Sequence, residues 1–148
     1  MRFVSTRVHG AVDYLWGAAL LLAPRLLGLP AGSPEARMAQ AAGAGAIAYA
    51  ALTDYELGLV PALTMRQHLA LDLAGGATLA ASPWLLAFSR RTRSPHLAFG
   101  LFAVAAGLVT RTRPDHGAAL CRAATLPLPR SRQPPQLRMA PFAKNPAS

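Results

Sequence analysis

The sequence predicts an all-α, four-helix integral membrane bundle made of two tandem helix-hairpin repeats, followed by a disordered C-terminal tail. Three observations predict it. Four long segments, His9 to Leu29, Ala36 to Thr53, His68 to Phe88 and His96 to Val109, carry almost no charge, and arginines collect in the gaps between them. Charge-poor stretches with basic punctuation are the pattern of helices in lipid. Second, the segment from Arg7 to Gly28 matches the segment from Arg66 onward at one constant spacing. Arg7 falls on Arg66, His9 on His68, Asp13 on Asp72, Gly17 on Gly76, Pro24 on Pro83 and Leu26-Leu27 on Leu85-Leu86. Histidine and aspartate are scarce in this chain, so two pairs in register mark a duplicated unit. Third, Ser33-Pro34 and Ser94-Pro95 each place an N-cap and a first-turn proline ahead of the second helix of a pair.

Composition agrees with lipid surroundings. Of 148 residues, 53% are hydrophobic and 14% charged, where a soluble domain carries about 25% charged residues. The polar stripe that each helix of a soluble bundle needs is missing. The net charge of +9 raises nucleic acid as a partner. The basic residues, however, flank apolar segments and have no aromatic interleaving of the kind that stacks on bases. Nucleic acid is therefore excluded, and anionic lipid headgroups are the expected counterpart. The single cysteine, Cys121, excludes an internal disulfide framework, Cys-based haem attachment and Cys-rich zinc sites.

In chain order, Met1 to Val8 form a short basic lead that looks like the start of a secretory leader. Helix 1 has a copy deep inside the chain, so it is read as a mature segment. It runs from about His9 to Leu29, with Pro24 kinking or ending it. Leu29-Pro30-Ala31-Gly32 makes the turn into helix 2, which extends from Ser33-Pro34 to about Thr53. Its face of Ala39, Ala42, Gly43, Gly45, Ala46 and Ala50 lets helix backbones approach closely. Leu57 to Met65, broken by Gly58 and Pro61, is expected to lie in the membrane interface.

Helix 3 spans Arg66 to Phe88, with an apolar stretch of about 21 residues and ~31 Å. Arg90, Arg91 and Arg93 are expected in a loop before helix 4. That helix runs from Ser94-Pro95 to about Thr110, roughly a turn shorter than helix 2, with Gly100, Ala103 and Gly107 on a small face. Repeat 1 covers about 7–54 and repeat 2 about 66–111, within a transmembrane domain of 7–113. Each unit crosses twice, so the copies are parallel. The segment 114–148 is rich in proline, with Arg122, Arg130, Arg132, Arg138 and Lys144, and reads as a disordered basic tail. Arginines divide almost evenly between the two sides, and the tail tips both termini toward the cytoplasmic face of the cell (inner) membrane.

Residues four apart share a helix face. His9, Asp13 and Gly17 therefore stack on helix 1, and His68, Asp72 and Gly76 on helix 3. Parallel copies put both pairs at one depth, where two imidazoles and two carboxylates converge. One reading is structural: each aspartate pairs with its own histidine or with Arg7 or Arg66, and with Asp54 these form a polar cluster that fixes helix register. Another is a divalent metal or small-ligand site at His9, Asp13, His68 and Asp72, a donor set that suits zinc, iron or manganese. A proton or solute relay is the third, disfavoured by the lack of a matching acid in the middle of helices 2 and 4. No cofactor is required by the sequence. No catalytic residues emerge either, because phosphate-binding loops, nucleophile elbows and zinc-protease motifs are all missing. Trp84 reads as an interface anchor, Trp16, Tyr14 and Tyr49 as packing residues, and His96 and His116 receive no role.

Ser82-Pro83-Trp84 followed by Leu85-Leu86-Ala87-Phe88, closing a helix that begins one of two tandem helix pairs, resembles the SPW-repeat family of small bacterial and archaeal membrane proteins. The resemblance implies an integral membrane protein of four helices with no established biochemical activity and no catalytic residues to carry over. The first copy departs from the tripeptide, reading Ala23-Pro24-Arg25. The expected function is that of a non-enzymatic module packing against itself or another membrane protein through Gly/Ala helix faces. The alternative is a metal- or ligand-binding protein, in redox or transport chemistry, built on the paired His and Asp.

Overall fold

A computed structural model describes residues 2–114. They form four α-helices: α1 over Thr6–Leu26, α2 over Pro34–Ala51, α3 over Met65–Leu85 and α4 over Arg90–Val109. Among the described residues the only β pairing is two isolated bridges. The tail expected over 114–148 lies, beyond Pro114, outside the described residues.

Local chemistry sets the helix starts. Ser5 Oγ accepts the Val8 N–H at 3.3 Å, which opens α1 one turn earlier than His9. Ser33 caps α2 by accepting the Ala36 N–H, and Pro34 occupies its first position. Thr64 and Gln67 form a reciprocal capping box at the start of α3. The expected start of α4 at Ser94-Pro95 is corrected. The helix begins at Arg90 behind Ser89, so Arg90, Arg91 and Arg93 lie on its first turn rather than in a loop. It is also longer than α2, at 20 residues against 18. Ser89 and Thr92 bind each other's side chains at 3.0 Å, and the Thr92 hydroxyl also reaches the Ser89 carbonyl. Pro95 already has a helical φ and removes only one backbone donor, close to the helix start.

The ends of α1 and α3 are built alike. Leu29 N–H donates to the Pro24 carbonyl at 2.8 Å and Phe88 N–H to the Pro83 carbonyl at 2.9 Å, the six-residue closure of a Schellman turn. The left-handed residue between is Gly28 (φ 63°) in one and Ala87 (φ 51°) in the other. Both prolines sit within the last turn before this closure and end the helix rather than breaking it.

α1 packs chiefly on α2, and α3 on α4. Each pair touches backbone to backbone. A Cβ on Gly17 would lie 2.9 Å from the Gly43 carbonyl oxygen, and one on Gly76 would lie 2.8 Å from that of Gly100. The buried residues Ala39, Gly43, Ala46 and Ala50 of α2 answer His96, Gly100, Ala103 and Gly107 of α4 at one constant spacing. Between the pairs, Leu20 and Leu79 share a core cluster with Ala39, and the rings of His9 and His68 lie 5.3 Å apart. Both join matched positions of α1 and α3, and the pairs also meet through the packing of α2 on α3.

The segments outside the helices are exchanged. The lead into α1 pairs with the end of α4, through Val4 and Thr110, and the lead into α3 pairs with the end of α2, through Leu63 and Thr53. Arg111 N–H donates to the Val4 carbonyl as Asp54 N–H does to that of Leu63. Both exchanges gather the starts of α1 and α3 at one end of the bundle.

Among the described residues, no helix is long and apolar enough to cross a membrane. α1 carries Arg7, His9, Asp13 and Arg25, α2 carries Glu35 and Arg37, α3 carries Arg66, His68 and Asp72, and α4 opens on Arg90, Arg91 and Arg93.

Candidate functional site

About one turn into α1 and α3 the chain places His9 and His68, and one turn deeper Asp13 and Asp72. All four are buried, at 1%, 0%, 7% and 4% exposure. Their contacts cross between helices. His9 Nε2 lies 3.0 Å from Oδ2 of Asp72, and His68 Nε2 lies 2.9 Å from Oδ2 of Asp13. The separations within each helix are longer, 3.3 Å for His9 to Asp13 and 3.5 Å for His68 to Asp72. Two nitrogens and two oxygens thus alternate around one small ring.

The opposite edge of each imidazole fixes its tautomer. His68 Nδ1 and Thr53 Oγ1 are 2.8 Å apart, and His9 Nδ1 and Thr110 Oγ1 are 2.9 Å apart. Each threonine hydroxyl donates its single hydrogen to the carbonyl one turn back, Tyr49 at 2.6 Å and Ala106 at 2.7 Å. The hydroxyl oxygen can then only accept, so Nδ1 of each histidine carries the hydrogen. Nε2 of each ring faces the carboxylates.

The two halves differ at one position. Tyr49 Oη donates to Asp72 Oδ1 at 2.6 Å and sets its ring edge-on to His68 at 4.9 Å. The matching place on α4 is Ala106. A cleft of about 290 Å³ opens on that side between α1 and α4, lined in part by Val8, His9, Phe102, Ala106 and Thr110. Over the same end of the bundle, Tyr55 is buried against His68 at 5.8 Å between ring centroids. Burial, and next the proximity of Tyr14, pushes its phenol up from the ordinary range.

The structure brings His9, Asp13, His68 and Asp72 into one cluster whose donor atoms all lie within 4.8 Å of one another. Arg7, Arg66 and Asp54 are exposed and outside it. Trp84 is exposed at the far end of α3. The sequence puts Thr53 and Thr110 at the ends of helices 2 and 4 on the side of the cluster, but does not mark them or Tyr49 as its hydrogen-bond partners. The signal available for the threonines was their place at the ends of α2 and α4. Nothing in the local sequence marked Tyr49. His96 also gained a place: Nδ1 lies 2.9 Å from the Thr92 carbonyl and Nε2 lies 3.1 Å from that of Glu35, which ties α4 to the start of α2.

A four-helix all-α bundle with a buried histidine–aspartate layer joining its two helix pairs defines the class. The family model described as "SPW repeat domain" matches residues 7–110, and the chain belongs to the SPW repeat family. No curated protein and no solved structure matches it.

Proposed function

We propose that the chain is an integral membrane module, a doubled helix hairpin that works by packing in the bilayer rather than by catalysis. The observation that carries this reading is the inverted distribution of side chains. Leu15, Leu22, Leu26, Leu85, Leu101, Phe102 and Leu108 are exposed on the outside, Leu26 by 81% and Leu85 by 73%, while His9, His68, Asp13, Asp72 and Thr110 are buried inside. Water would favour the reverse. In lipid, ionisable groups turn inward and pair. Of the polar residues that lower the mean hydropathy of α1 and α3, His9, Asp13, His68 and Asp72 are buried, and Arg7, Arg25, Arg66 and Gln67 are exposed within a turn of a helix end. The basic residues lie near helix ends, where long side chains reach the headgroups. The like packing of α1 on α2 and of α3 on α4, with matching buried positions in α2 and α4, supports a doubled hairpin over 7–113.

The small faces of Gly43 and Gly100 are consumed within each hairpin. Ala41, Ala44, Gly45 and Ala48 of α2 remain on the exterior, and this stripe is the surface we assign to a second copy or another membrane protein. The module belongs in the cell membrane, with Trp84 at one headgroup layer and the starts of α1 and α3 at the other.

Alkaline carbonate extraction of membranes carrying the full chain tests the placement. The protein is expected in the pellet and is expected to need detergent for release. A monodisperse protein in the carbonate supernatant, stable without detergent, would overturn it.

A further inference from the structure

We infer that His9, Asp13, His68 and Asp72 form a binding site for one divalent first-row transition-metal ion, with zinc the ion the geometry fits first. The tautomer argument comes first. Thr53 and Thr110 accept from the two Nδ1–H groups, so in each neutral imidazole it is Nε2 that offers its lone pair toward the carboxylates. A metal-bound imidazole is held in the same way, donating its other N–H to a fixed oxygen acceptor. Four electron-rich atoms then meet around one point, and something positive must stand between them.

The size of the ring identifies what fits. Its four N–O edges are 3.3, 3.0, 2.9 and 3.5 Å. Zinc–nitrogen and zinc–oxygen bonds of about 2.0–2.2 Å place tetrahedral ligand atoms ~3.3 Å from one another. The four edges bracket that spacing, and all four atoms lie within 4.8 Å of one another, so the ring closes up across its diagonals to hold the ion. The charge balances as well, because two carboxylates and two neutral imidazoles cancel one dication in a layer with almost no exposure to water. Nitrogen and carboxylate donors select a borderline ion over calcium or magnesium, which favour all-oxygen shells. Around the layer, Tyr49 holds the outer oxygen of Asp72, and the cleft beside Ala106 gives an ion a way toward His9. The rival arrangement is two protons, making two imidazolium–carboxylate pairs along the shorter 2.9 and 3.0 Å edges.

The test uses the full chain purified in detergent, stripped with a chelator, and titrated with zinc or cobalt(II) chloride. One equivalent is expected to bind, to raise the unfolding temperature, and to give cobalt the intense visible absorption of a four-coordinate site. His9→Gln with His68→Gln should abolish that absorption. Thr53→Val should weaken binding about 10–100-fold, through loss of the group that orients the ring. A folded wild type that takes up no metal would establish the two-proton arrangement and overturn the site. Equal uptake by the double variant would place the metal elsewhere and overturn it too. If the double variant does not fold, the wild-type cobalt spectrum decides, a weak six-coordinate spectrum counting against the site. None of these outcomes depends on where carbonate leaves the protein.

Discussion

His68 Nε2 stands closer to Asp13 of the other helix pair, at 2.9 Å, than to Asp72 of its own helix, at 3.5 Å. The layer is therefore a clasp between the two helix pairs as well as a feature of each one. Removing one member leaves a buried charged or polar group without its partner, which typically costs ~3–5 kcal/mol. Asp13→Asn is expected to lower the unfolding temperature strongly, as is His68→Gln. The two together should cost much less than the sum of the singles, because they share one interaction. A double-mutant cycle by thermal unfolding in detergent measures this, and additive losses would count against the clasp.

Ser82 precedes Pro83 for a local reason. Pro83 has no N–H, so the Leu79 carbonyl loses its usual donor four residues on. The Ser82 hydroxyl supplies a replacement at 2.7 Å, and both residues are buried. Ser82→Ala should leave that carbonyl unsatisfied and cost about 1–3 kcal/mol. Ser82→Thr retains the hydroxyl and should lose less. Equilibrium unfolding of the two variants separates a hydrogen-bonding role from simple packing. Equal losses would show that the hydroxyl is not what Pro83 requires.

The four helices and the convergence of His9, Asp13, His68 and Asp72 were legible because a period-four pattern repeated at one constant spacing fixes both face and depth. What the pattern could not show was the crossing. Nothing in the sequence says whether an aspartate pairs with the histidine of its own helix or of the neighbour, since that depends on how α1 and α3 meet across the seam, whereas Gly17 and Gly76 face Gly43 and Gly100 within each pair. Arg7 and Arg66 matched equally well as copies, yet side chains at the helix start point outward, and both are exposed. Tyr49 stayed illegible for a related reason. Its partner Asp72 is on another helix, and it has no copy, the matching residue being Ala106. The start of α4 is hidden because Ser94-Pro95 imitates Ser33-Pro34, while the helix in fact opens behind Ser89, which makes no side-chain cap hydrogen bond that a sequence pattern would announce.

Ala87 and Gly28 occupy the same place in two equivalent turns, with φ of 51° and 63°. An L side chain in this left-handed region is strained, whereas glycine is not. Ala87→Gly should therefore stabilise the protein by about 1 kcal/mol, and Gly28→Ala should destabilise it by a similar amount. Unfolding midpoints of the two single variants check both signs. If Ala87→Gly proves destabilising, the turn after α3 is held by something other than its backbone closure.

Glycines within the helices separate into two kinds, and substitution should tell them apart. A Cβ on Gly100 would stand 2.5 Å from both the Ala80 nitrogen and the Gly76 oxygen, and one on Gly43 would stand 2.6 Å from the Gly17 oxygen. Backbone atoms of a neighbouring helix do not yield as a flexible side chain does, so the helices of the pair must part. Gly43→Ala and Gly100→Ala are expected to cost ~1–3 kcal/mol, the range for inserting a group into a filled interior. Gly45 and Gly75 have nothing within 4 Å of the added carbon. There the same change should be neutral or stabilising by up to about 1 kcal/mol, because alanine favours a helix more than glycine does. The comparison also reads out the outer face of α2. If Gly45→Ala proves costly while Gly75→Ala does not, a neighbour packs against α2, and the oligomeric state of the two variants in detergent should then differ.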